Sequence, residues 1–172
     1  MSHSYLSTAR PRRWVVMGVS GCGKSEVGQR LASALDLPHI EGDSYHPPAN
    51  IVKMSAGIPL DDADRSDWLL RLQSEIGAAH ARAKGLVLSC SALKRRYRDL
   101  FRAADPHLVF VHLVGDRDLI ASRMHARAGH YMPPSLLDSQ FRDLEPLEPD
   151  EIGICLDIRK EPAKLVEELL QS

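Results

Sequence analysis

Residues 18–25 read Gly18-Val-Ser-Gly-Cys-Gly-Lys24-Ser25 and form a complete G-x-x-x-x-G-K-[ST] motif. An apolar run from Trp14 to Val19 leads into the motif and predicts a buried strand, and Val27, Leu31 and Leu35 follow it at the four-residue spacing of a helix. Glycines at this place let the backbone approach an anion, so that successive N–H groups and the positive end of the helix point at a phosphate. The stretch therefore predicts a phosphate-binding loop between a strand and a helix.

Each residue type in this loop suits the binding of a nucleoside triphosphate. The backbone is expected to surround the phosphates at Gly18, Val19, Ser20, Gly21, Cys22 and Gly23. Lys24 is expected to reach the β- and γ-phosphates, and the Ser25 hydroxyl is expected to bind Mg²⁺. Cys22 takes a free position of the motif and is interpreted as a small filler. A glycine-rich turn that binds nothing is the weaker alternative, because the pattern contains both the flanking strand and the flanking helix.

Short β-rich runs alternate with longer helical patterns outside this loop, which predicts βα units that feed a parallel sheet. Five strands are expected, at residues 14–19, 39–41, 86–90, 108–114 and 152–158. Helices are expected after the loop, after Pro48, over 62–83 with Asp61 or Asp62 as N-cap, from about Lys94, after Asp116 and after Pro162. The predicted fold class is α/β, a P-loop NTPase domain over residues 13–172 that follows a flexible lead-in at 1–12.

Length and composition favour one ordinary globular domain. The chain has 172 residues, of which 44% are hydrophobic and 26% are charged, and these values exclude the disordered, collagenous and disulfide-scaffold classes. Its 22 Lys and Arg residues against 23 Asp and Glu residues give a net charge of −1. No overall field therefore attracts nucleic acid or an anionic membrane, and we expect neither as a partner.

Targeting signals and cysteine chemistry favour a cytoplasmic protein. The N-terminal segment lacks the continuous apolar run of a secretory signal, and nowhere do about 18 apolar residues run together to span a membrane. Cys22, Cys90 and Cys155 are far apart in the chain and have no C-x-x-C spacing. Neither a disulfide framework nor a zinc site is therefore predicted, and a reducing cytosol fits best.

Two carboxylates, Glu41 and Asp43, lie at and just after the end of the second expected strand. In parallel α/β sheets ligands lie at the carboxyl ends of the strands, which makes Asp43 a candidate to accept the proton of an acceptor hydroxyl or to hold a magnesium water. An Asx-turn or helix cap is the alternative role for Asp43. If the strand extends to Asp43, the Glu41 side chain lies on the same face of the strand as the Asp43 side chain. The third strand is expected to end at residues 89–91 without an aspartate, so the metal ligands beyond Ser25 are left open.

Basic residues after the fourth expected strand indicate a lid. Arg123, Arg127 and His130 are spaced by four and by three, which predicts that they share one helical face. A proline pair follows at 133–134, and the excursion over about residues 123–142 is interpreted as a lid whose arginines bind phosphate. A solvated basic face is the alternative, because most surface arginines bind nothing specific.

Further cations and a histidine are candidates for binding an acceptor substrate. Lys94 and Arg98 belong to a basic stretch that is more typical of a solvated helix face, although one or two of its side chains are candidates to bind an anionic substrate. His46 and Lys53 lie in a breaker-rich segment after Asp43, where small kinases build their acceptor pocket. A loop without a binding role is an equal alternative for this segment.

A P-loop alone does not distinguish a kinase from a GTPase switch or a motor. The chain has no N-K-x-D sequence that reads guanine, and it is too short for the additional elements of a motor. A small kinase needs an acidic group near the acceptor hydroxyl, cations for the transferring phosphoryl group and a lid that excludes water. Each of these requirements has a candidate in the sequence.

Several blocks of the chain form a recognisable pattern, at residues 18–25, 41–47, 50–54, 57–62, 64–69, 90–99 and 127–130. The phosphate loop among them is generic, whereas the G-D-x-x-H-P, D-D-x-D-R-x-x-W and C-S-A-L-K blocks are specific. Together these blocks resemble the thermoresistant-type gluconokinases. The resemblance runs from about Trp14 to the last helix.

The resemblance implies ATP-dependent phosphorylation of D-gluconate at its 6-hydroxyl, with Mg²⁺, to give 6-phosphogluconate and ADP. It also implies a nucleoside-monophosphate-kinase-like fold, with a five-stranded parallel sheet of order 2-3-1-4-5 and a lid, and a homodimer. On matching positions, Lys24 and Ser25 would serve ATP and magnesium, Asp43 would orient or deprotonate the gluconate hydroxyl, and Arg123 and Arg127 would bind phosphate from the lid. The candidates for the substrate pocket are His46, Lys53, Lys94, Arg98 and His130.

Two rival functions are kept beside this one. The first is another small P-loop kinase, acting on shikimate, adenylylsulfate or a nucleoside monophosphate, which shares the fold and differs in the acceptor pocket. The second is a non-catalytic ATP-binding regulator that uses the lid as a switch. A panel of acceptors supplied with ATP and magnesium separates all of these functions.

Overall fold

Five parallel strands form the sheet in the computed structural model, which describes residues 12–127 and 133–172. The strands are β1 (Arg13–Met17), β2 (His39–Glu41), β3 (Leu86–Ser89), β4 (Val109–Val114) and β5 (Gly153–Asp157). Their order is β2-β3-β1-β4-β5 and every neighbouring pair is parallel. The α/β class and the strand order 2-3-1-4-5 are therefore confirmed.

Helices cover both faces of this sheet. One layer holds α1 (Lys24–Leu35), α5 (Arg117–Ala126), α6 (Pro134–Asp143) and α7 (Pro162–Gln171), and the other holds α3 (Asp62–Ala81) and α4 (Arg95–Ala104). The short helix α2 (Pro48–Ser55) follows a 3₁₀ turn at Gly42–Tyr45. No helix in residues 12–127 and 133–172 is long and apolar enough to cross a membrane.

The central strand β1 separates the two halves of the core. Trp14 and Val16 belong to the apolar cluster under α1 and α7, whereas Val15 and Met17 belong to the cluster under α3 and α4. All four side chains are buried, because a strand covered on both faces alternates its side chains between two apolar layers. Burial of both faces of β1 explains why the sequence has apolar residues at successive positions here.

Local signals account for most of the element boundaries, and some boundaries differ from the expected ones. The strand β1 ends at Met17 rather than Val19, because Gly18 turns the chain with φ +145°. Asp61 caps α3 by accepting the Asp64 N–H at 2.7 Å in a reciprocal capping box. The helix α1 ends at Leu35, and Asp36 follows it in a left-handed conformation. The helix α5 ends at Ala126, earlier than the Arg123–Arg127 spacing predicts.

Parallel strands place all their carboxyl ends at one edge of the sheet, and the loops that follow them gather there. The phosphate loop follows β1, the 3₁₀ turn follows β2, and the segment that leads into α4 follows β3. Ser89, the last residue of β3, donates from its hydroxyl to the Lys24 carbonyl oxygen at 3.0 Å, and its Oγ lies 2.8 Å from His39 Nε2. These bonds fix the first turn of α1 against the two strands beside it.

Candidate active site

The phosphate loop is open towards an anion in this structure. Gly18 and Gly23 have φ values of +145° and +98°, and a Cβ on Gly23 would meet no atom within 4 Å. The N–H groups of Gly21, Gly23 and Ser25 have no hydrogen-bond acceptor among the residues that the structure describes. The Lys24 ammonium donates to the Val19 carbonyl oxygen at 3.0 Å and so lies over the loop. The loop thus presents unpaired donors beside a positive charge, as phosphate binding requires.

Cys22 is packed inside the loop rather than exposed on it. The side chain is buried, and a Cβ added to Gly18 would lie only 2.7 Å from the Cys22 sulfur. Burial raises the pKa of the Cys22 thiol, although the charge of Lys24 acts in the opposite direction. The thiol therefore stays protonated near neutral pH, which agrees with the interpretation of Cys22 as a filler residue.

Ser25 and Glu41 meet at the carboxyl edge of the sheet. The Ser25 hydroxyl donates a hydrogen bond to the Glu41 carboxylate, which ends strand β2. No group of three or more His, Cys, Asp or Glu side chains suited to a metal occurs in residues 12–127 and 133–172. Mg²⁺, however, prefers oxygen ligands and commonly takes only one or two from the protein, with water and phosphate completing the shell. One hydroxyl and one carboxylate at the phosphate loop fit that requirement.

Asp43 lies in the 3₁₀ turn, two residues after Glu41 in the chain. Its side chain is 76% exposed, and its Oδ1 lies 4.0 Å from Nε2 of His46. The Trp68 indole donates to the Gly42 carbonyl oxygen at 2.8 Å and holds the turn in place. A carboxylate that is exposed on a fixed turn remains available to a substrate hydroxyl.

His46 is buried next to Asp43. Its ring stacks on Trp68 with centroids 4.2 Å apart, and its Nδ1 lies 3.2 Å from the amide nitrogen of Asn50. Burial lowers the pKa of His46, and Arg65 lowers it further, while Asp43 opposes the shift. The ring is therefore neutral near pH 7, so that it offers a substrate a hydrogen-bonding nitrogen rather than a charge.

Lys53 and Lys94 both pair with carboxylates at the start of α3. The Lys53 ammonium contacts both oxygens of Asp64 at 3.0 and 2.9 Å, and the hydrogen bond to that carboxylate raises the pKa of Lys53. Lys94 donates to Asp62 at 3.0 Å, and the Tyr97 hydroxyl donates to the same carboxylate. The structure thus places each lysine beside a carboxylate in the first turn of α3, and each already has a counter-charge.

Arg98 has a structural role, which corrects the expectation that it contacts substrate. Its side chain is fully buried, and its guanidinium donates to both oxygens of Glu151, at 2.7 and 3.0 Å. Its remaining donors bond the carbonyl oxygens of Ala92, Leu93 and Pro146. A guanidinium with every donor satisfied inside the protein has nothing left for a substrate. The solvated interpretation of this helix is also wrong at this position.

Arg123 and Arg127 line a cavity of about 300 Å³ beside the phosphate loop. The prediction that they share a helical face is wrong, because Arg127 follows the end of α5 in an extended conformation. Both nevertheless reach the cavity, and neither forms an ion pair with any residue that the structure describes. Ile158, Lys160 and Pro162, which follow β5, also line this cavity. His130 and the middle of the expected lid, residues 128–132, lie outside the described residues.

Two further residues of this edge, Gln140 and Arg65, were not placed in the site by the sequence. Gln140 of α6 forms two hydrogen bonds with Ser20 of the phosphate loop. Arg65 of α3 is buried and its Nη1 donates to the Tyr97 hydroxyl and to Asp143, both at 3.0 Å. The D-D-x-D-R block offered a signal for Arg65, whereas no local pattern marks Gln140, because its partner is 120 residues away in the chain.

Comparison with known proteins gives the family of this chain. A family model described as shikimate kinase matches residues 20–148. The gluconokinase of Gluconobacter oxydans is 46% identical over 173 residues, which cover 98% of this chain and 95% of that protein. The chain belongs to the gluconokinase family. A second gluconokinase, the thermosensitive one of Escherichia coli, is 43% identical over 160 residues, which cover 92% of this chain and 86% of that protein.

A solved gluconokinase agrees with this assignment. The crystal structure of a gluconokinase from Sinorhizobium meliloti 1021 has a TM-score of 0.86 and 46% identity, and the match covers 94% of this chain and 90% of that one. Membership of the gluconokinase family makes this chain a P-loop kinase and confirms the resemblance in its sequence blocks. A non-catalytic regulator is not favoured, because the relatives are named as kinases.

Proposed function

We propose that this protein transfers the γ-phosphoryl group of ATP to the 6-hydroxyl of D-gluconate and produces 6-phosphogluconate and ADP. The observation that carries the proposal is the position of Asp43, exposed on a fixed turn beside the Ser25–Glu41 pair, in a chain that matches gluconokinases over nearly its whole length. Asp43 is the group that takes the proton of the attacking hydroxyl or orients that hydroxyl.

The nucleotide occupies the phosphate loop and the adjacent cavity in this proposal. The free N–H groups of the loop and the Lys24 ammonium hold the phosphates. The base fits the cavity at Arg123, which Ile158 and Pro162 also line, because a flat aromatic base packs well on a guanidinium plane and on apolar side chains. Arg127 lines the same cavity and balances negative charge on the phosphates from the side of the lid.

Ser25 and Glu41 are the residues that would hold Mg²⁺, whose charge, when bound, neutralises the phosphate oxygens. Phosphoryl transfer passes through a loose transition state, so the protein contributes positioning and charge stabilisation. Lys24 and Arg127 contribute charge from opposite sides of the phosphates. Asp43 keeps the acceptor hydroxyl in line with the bond that breaks.

The acceptor lies over the 3₁₀ turn and the start of α3. His46 offers a neutral ring nitrogen, and Lys53 and Lys94 offer cations that suit the carboxylate of a sugar acid. Because both lysines are paired with aspartates in this structure, substrate binding exchanges at least one of these ion pairs for a contact with substrate. His130 remains a predicted contact of the substrate, on the lid over about residues 123–142.

Purified protein incubated with Mg-ATP and a panel of acceptors tests this function. We expect ADP release with D-gluconate and little with shikimate, adenylylsulfate, nucleoside monophosphates or no acceptor. Phosphorus NMR of the product is expected to report a primary phosphomonoester, which locates the transfer at the 6-hydroxyl. Turnover with shikimate but not with gluconate would support the rival kinase, and no turnover with any acceptor would remove the catalytic proposal.

The resemblance also supports a homodimer in the cytoplasm, formed by a single kinase domain over residues 13–172. Light scattering during size-exclusion chromatography is expected to give twice the mass of the 19.1 kDa chain. A monomeric mass at micromolar concentration would contradict the dimer and leave the kinase activity untouched.

A further inference from the structure

Gln140 joins helix α6 to the phosphate loop through two hydrogen bonds. Its Oε1 accepts the Ser20 N–H at 2.7 Å, and its Nε2 donates to the Ser20 hydroxyl oxygen at 3.0 Å. Both distances lie in the normal range for hydrogen bonds, and the oxygen and the nitrogen of the Gln140 amide both bond to Ser20. This two-point arrangement fixes the orientation of the Gln140 amide and the position of Ser20 together.

The helix that carries Gln140 is itself held in place. Leu136 and Leu137, one turn before Gln140, are buried, and Leu137 packs in the apolar cluster under α1. Arg117 of α5 donates from its Nε to Asp138 at 2.6 Å, which ties α6 to α5. Gln140 therefore projects from a supported helix, so its contact with the loop constrains the loop more than it constrains the helix.

The contact leaves the phosphate-binding donors free. Gln140 takes the N–H of Ser20, whereas the N–H groups of Gly21, Gly23 and Ser25 have no acceptor among the described residues. Ser20 stands directly before Gly21 in the loop, so holding Ser20 restricts the backbone from which those donors project. An amide that competed with the nucleotide would instead accept hydrogen bonds from the N–H groups of Gly21, Gly23 and Ser25.

We infer that Gln140 is a positioning residue that preorganises the phosphate loop through Ser20 and thereby raises its affinity for nucleotide. Ordering a glycine-rich loop costs conformational entropy, and a contact present before binding removes part of that cost from the binding step. The same contact couples the placement of α6, which falls largely within the expected lid over about residues 123–142, to nucleotide affinity. For its effect on turnover the inference rests on the proposed kinase function, whereas its effect on binding does not.

Gln140→Met tests the inference, because it keeps the length of the side chain and removes both hydrogen bonds. The matched control is Gln73→Met, since Gln73 also joins two elements with its amide, donating to the Leu100 carbonyl oxygen at 2.7 Å on the other face of the sheet. Calorimetric titration with ADP and with a non-hydrolysable ATP analogue, both with Mg²⁺, is expected to give a Kd about tenfold higher for Gln140→Met, as the loss of one or two net hydrogen bonds predicts. The control is expected to bind as the wild type does, at a similar loss in Tm.

Ser20→Ala separates the two bonds, because it removes the hydroxyl and keeps the N–H. We expect its Kd for the analogue to rise about threefold, and the double variant with Gln140→Met to bind no more weakly than Gln140→Met alone. Equal Kd values for Gln140→Met and the Gln73→Met control, or fully additive effects of Ser20→Ala and Gln140→Met, would overturn the inference.

Steady-state kinetics distinguish this inference from the proposed function. Gln140→Met is expected to raise the KM for ATP and to leave the KM for gluconate within about twofold of the wild type. Wild-type protein that fails to phosphorylate gluconate but loses nucleotide affinity on Gln140→Met would remove the proposed function and support the inference. Normal nucleotide affinity of Gln140→Met, together with phosphorylation of gluconate by the wild type, would support the proposed function and overturn the inference.

Discussion

The Ser25 hydroxyl and the Glu41 carboxylate are hydrogen-bonded across the gap between helix α1 and the end of strand β2. The two residues are 16 positions apart in the chain, and both lie where the phosphate loop meets the 3₁₀ turn at Gly42–Tyr45. Because a serine hydroxyl and a carboxylate are both hard oxygen ligands, we propose that Mg²⁺ binds at this pair.

Glu41→Gln tests the role of this pair. The amide keeps the size of the side chain and can still accept the Ser25 hydrogen bond, but it removes the negative charge. We expect the Mg²⁺ concentration for half-maximal activity to rise about tenfold, with little change in the Tm of the free protein. The control Glu167→Gln alters an exposed carboxylate on α7 and is expected to leave the magnesium titration unchanged. Equal titrations for all three proteins would exclude Glu41 from the metal site.

Lys24→Ala is expected to lower kcat by about 10² to 10³, because the ammonium stabilises charge on the transferring phosphoryl group. Among residues 12–127 and 133–172, the Lys24 side chain donates a hydrogen bond only to the Val19 carbonyl oxygen within the loop, so the fold is expected to survive. Steady-state kinetics beside circular dichroism provide the measurement. Near-normal turnover in a folded variant would remove Lys24 from the mechanism.

Asp43→Ala is expected to lower kcat by about 10² to 10⁴, the usual contribution of a positioned general base. Its side chain is 76% exposed, so the Tm is expected to change little. Asp43→Asn distinguishes orientation from proton transfer, since an amide can still orient a hydroxyl but does not accept its proton near neutral pH. Activity of the Asn variant close to that of the wild type would limit Asp43 to orientation.

Arg127→Ala is expected to lower kcat with a smaller effect on the KM for gluconate, because the side chain lines the cavity that we propose for the nucleotide. A tenfold loss, about 1.4 kcal/mol of transition-state stabilisation, is the scale we expect for one charge contact. Arg30→Ala serves as the control, since Arg30 is exposed on α1 and pairs with Glu26. A kcat equal to that of the control would support the solvated-face interpretation of the lid arginines.

Glu151→Gln tests the buried ion pair with Arg98. Burial alone would raise the pKa of the Glu151 carboxyl, but hydrogen bonds from Arg98, from the Glu148 N–H and from Arg102 lower it from 4.5 to about 2. The substitution leaves the Arg98 guanidinium buried without a counter-charge, and we expect it to cost about 3 kcal/mol in the free energy of unfolding. Urea titration at pH 7 measures the loss, with the exposed neighbour in Glu148→Gln as the control.

The same pair gives a pH dependence of defined sign. Because the pKa of Glu151 is lower in the folded state, its contribution to stability is present above about pH 4.5 and is lost as the pH falls towards 2. Glu151→Gln is therefore expected to flatten the decrease of stability over that range. An acid-unfolding curve parallel to that of the wild type would show that the Glu151 titration does not contribute.

Much of the fold follows from local patterns in the chain. The apolar run before Gly18 predicts a strand covered on both faces, and the capping pattern at Asp61 fixes the start of α3. The boundaries that differ do so for backbone reasons: Gly18 turns the chain before the apolar run ends, and Arg127 leaves the helical conformation that its spacing with Arg123 predicts. Apolar spacing reports which side of an element is buried, but not the residue at which its hydrogen bonds end.

The candidate site likewise contains residues that the sequence predicts and residues that it does not predict. The phosphate loop and Asp43 are predictable, because each follows a strand whose carboxyl end must lie at the same edge of a parallel sheet. The burial of Arg98 is not predictable, because a basic run normally faces water, and the carboxylate that compensates this arginine lies 53 residues further along the chain. Only the folded chain decides which charge meets which counter-charge.

The sequence by itself determined that this protein has a phosphate loop between a buried strand and a helix, an α/β fold, and a family resemblance that the relatives confirm. These properties depend on residue types at short spacings, which local backbone physics converts into structure. The tertiary structure alone decided that Glu41 meets Ser25, that Gln140 holds Ser20 and that Glu151 neutralises Arg98. Each of these contacts joins residues on different elements, and the packing of helices on the sheet, rather than any local pattern, sets the distance between them.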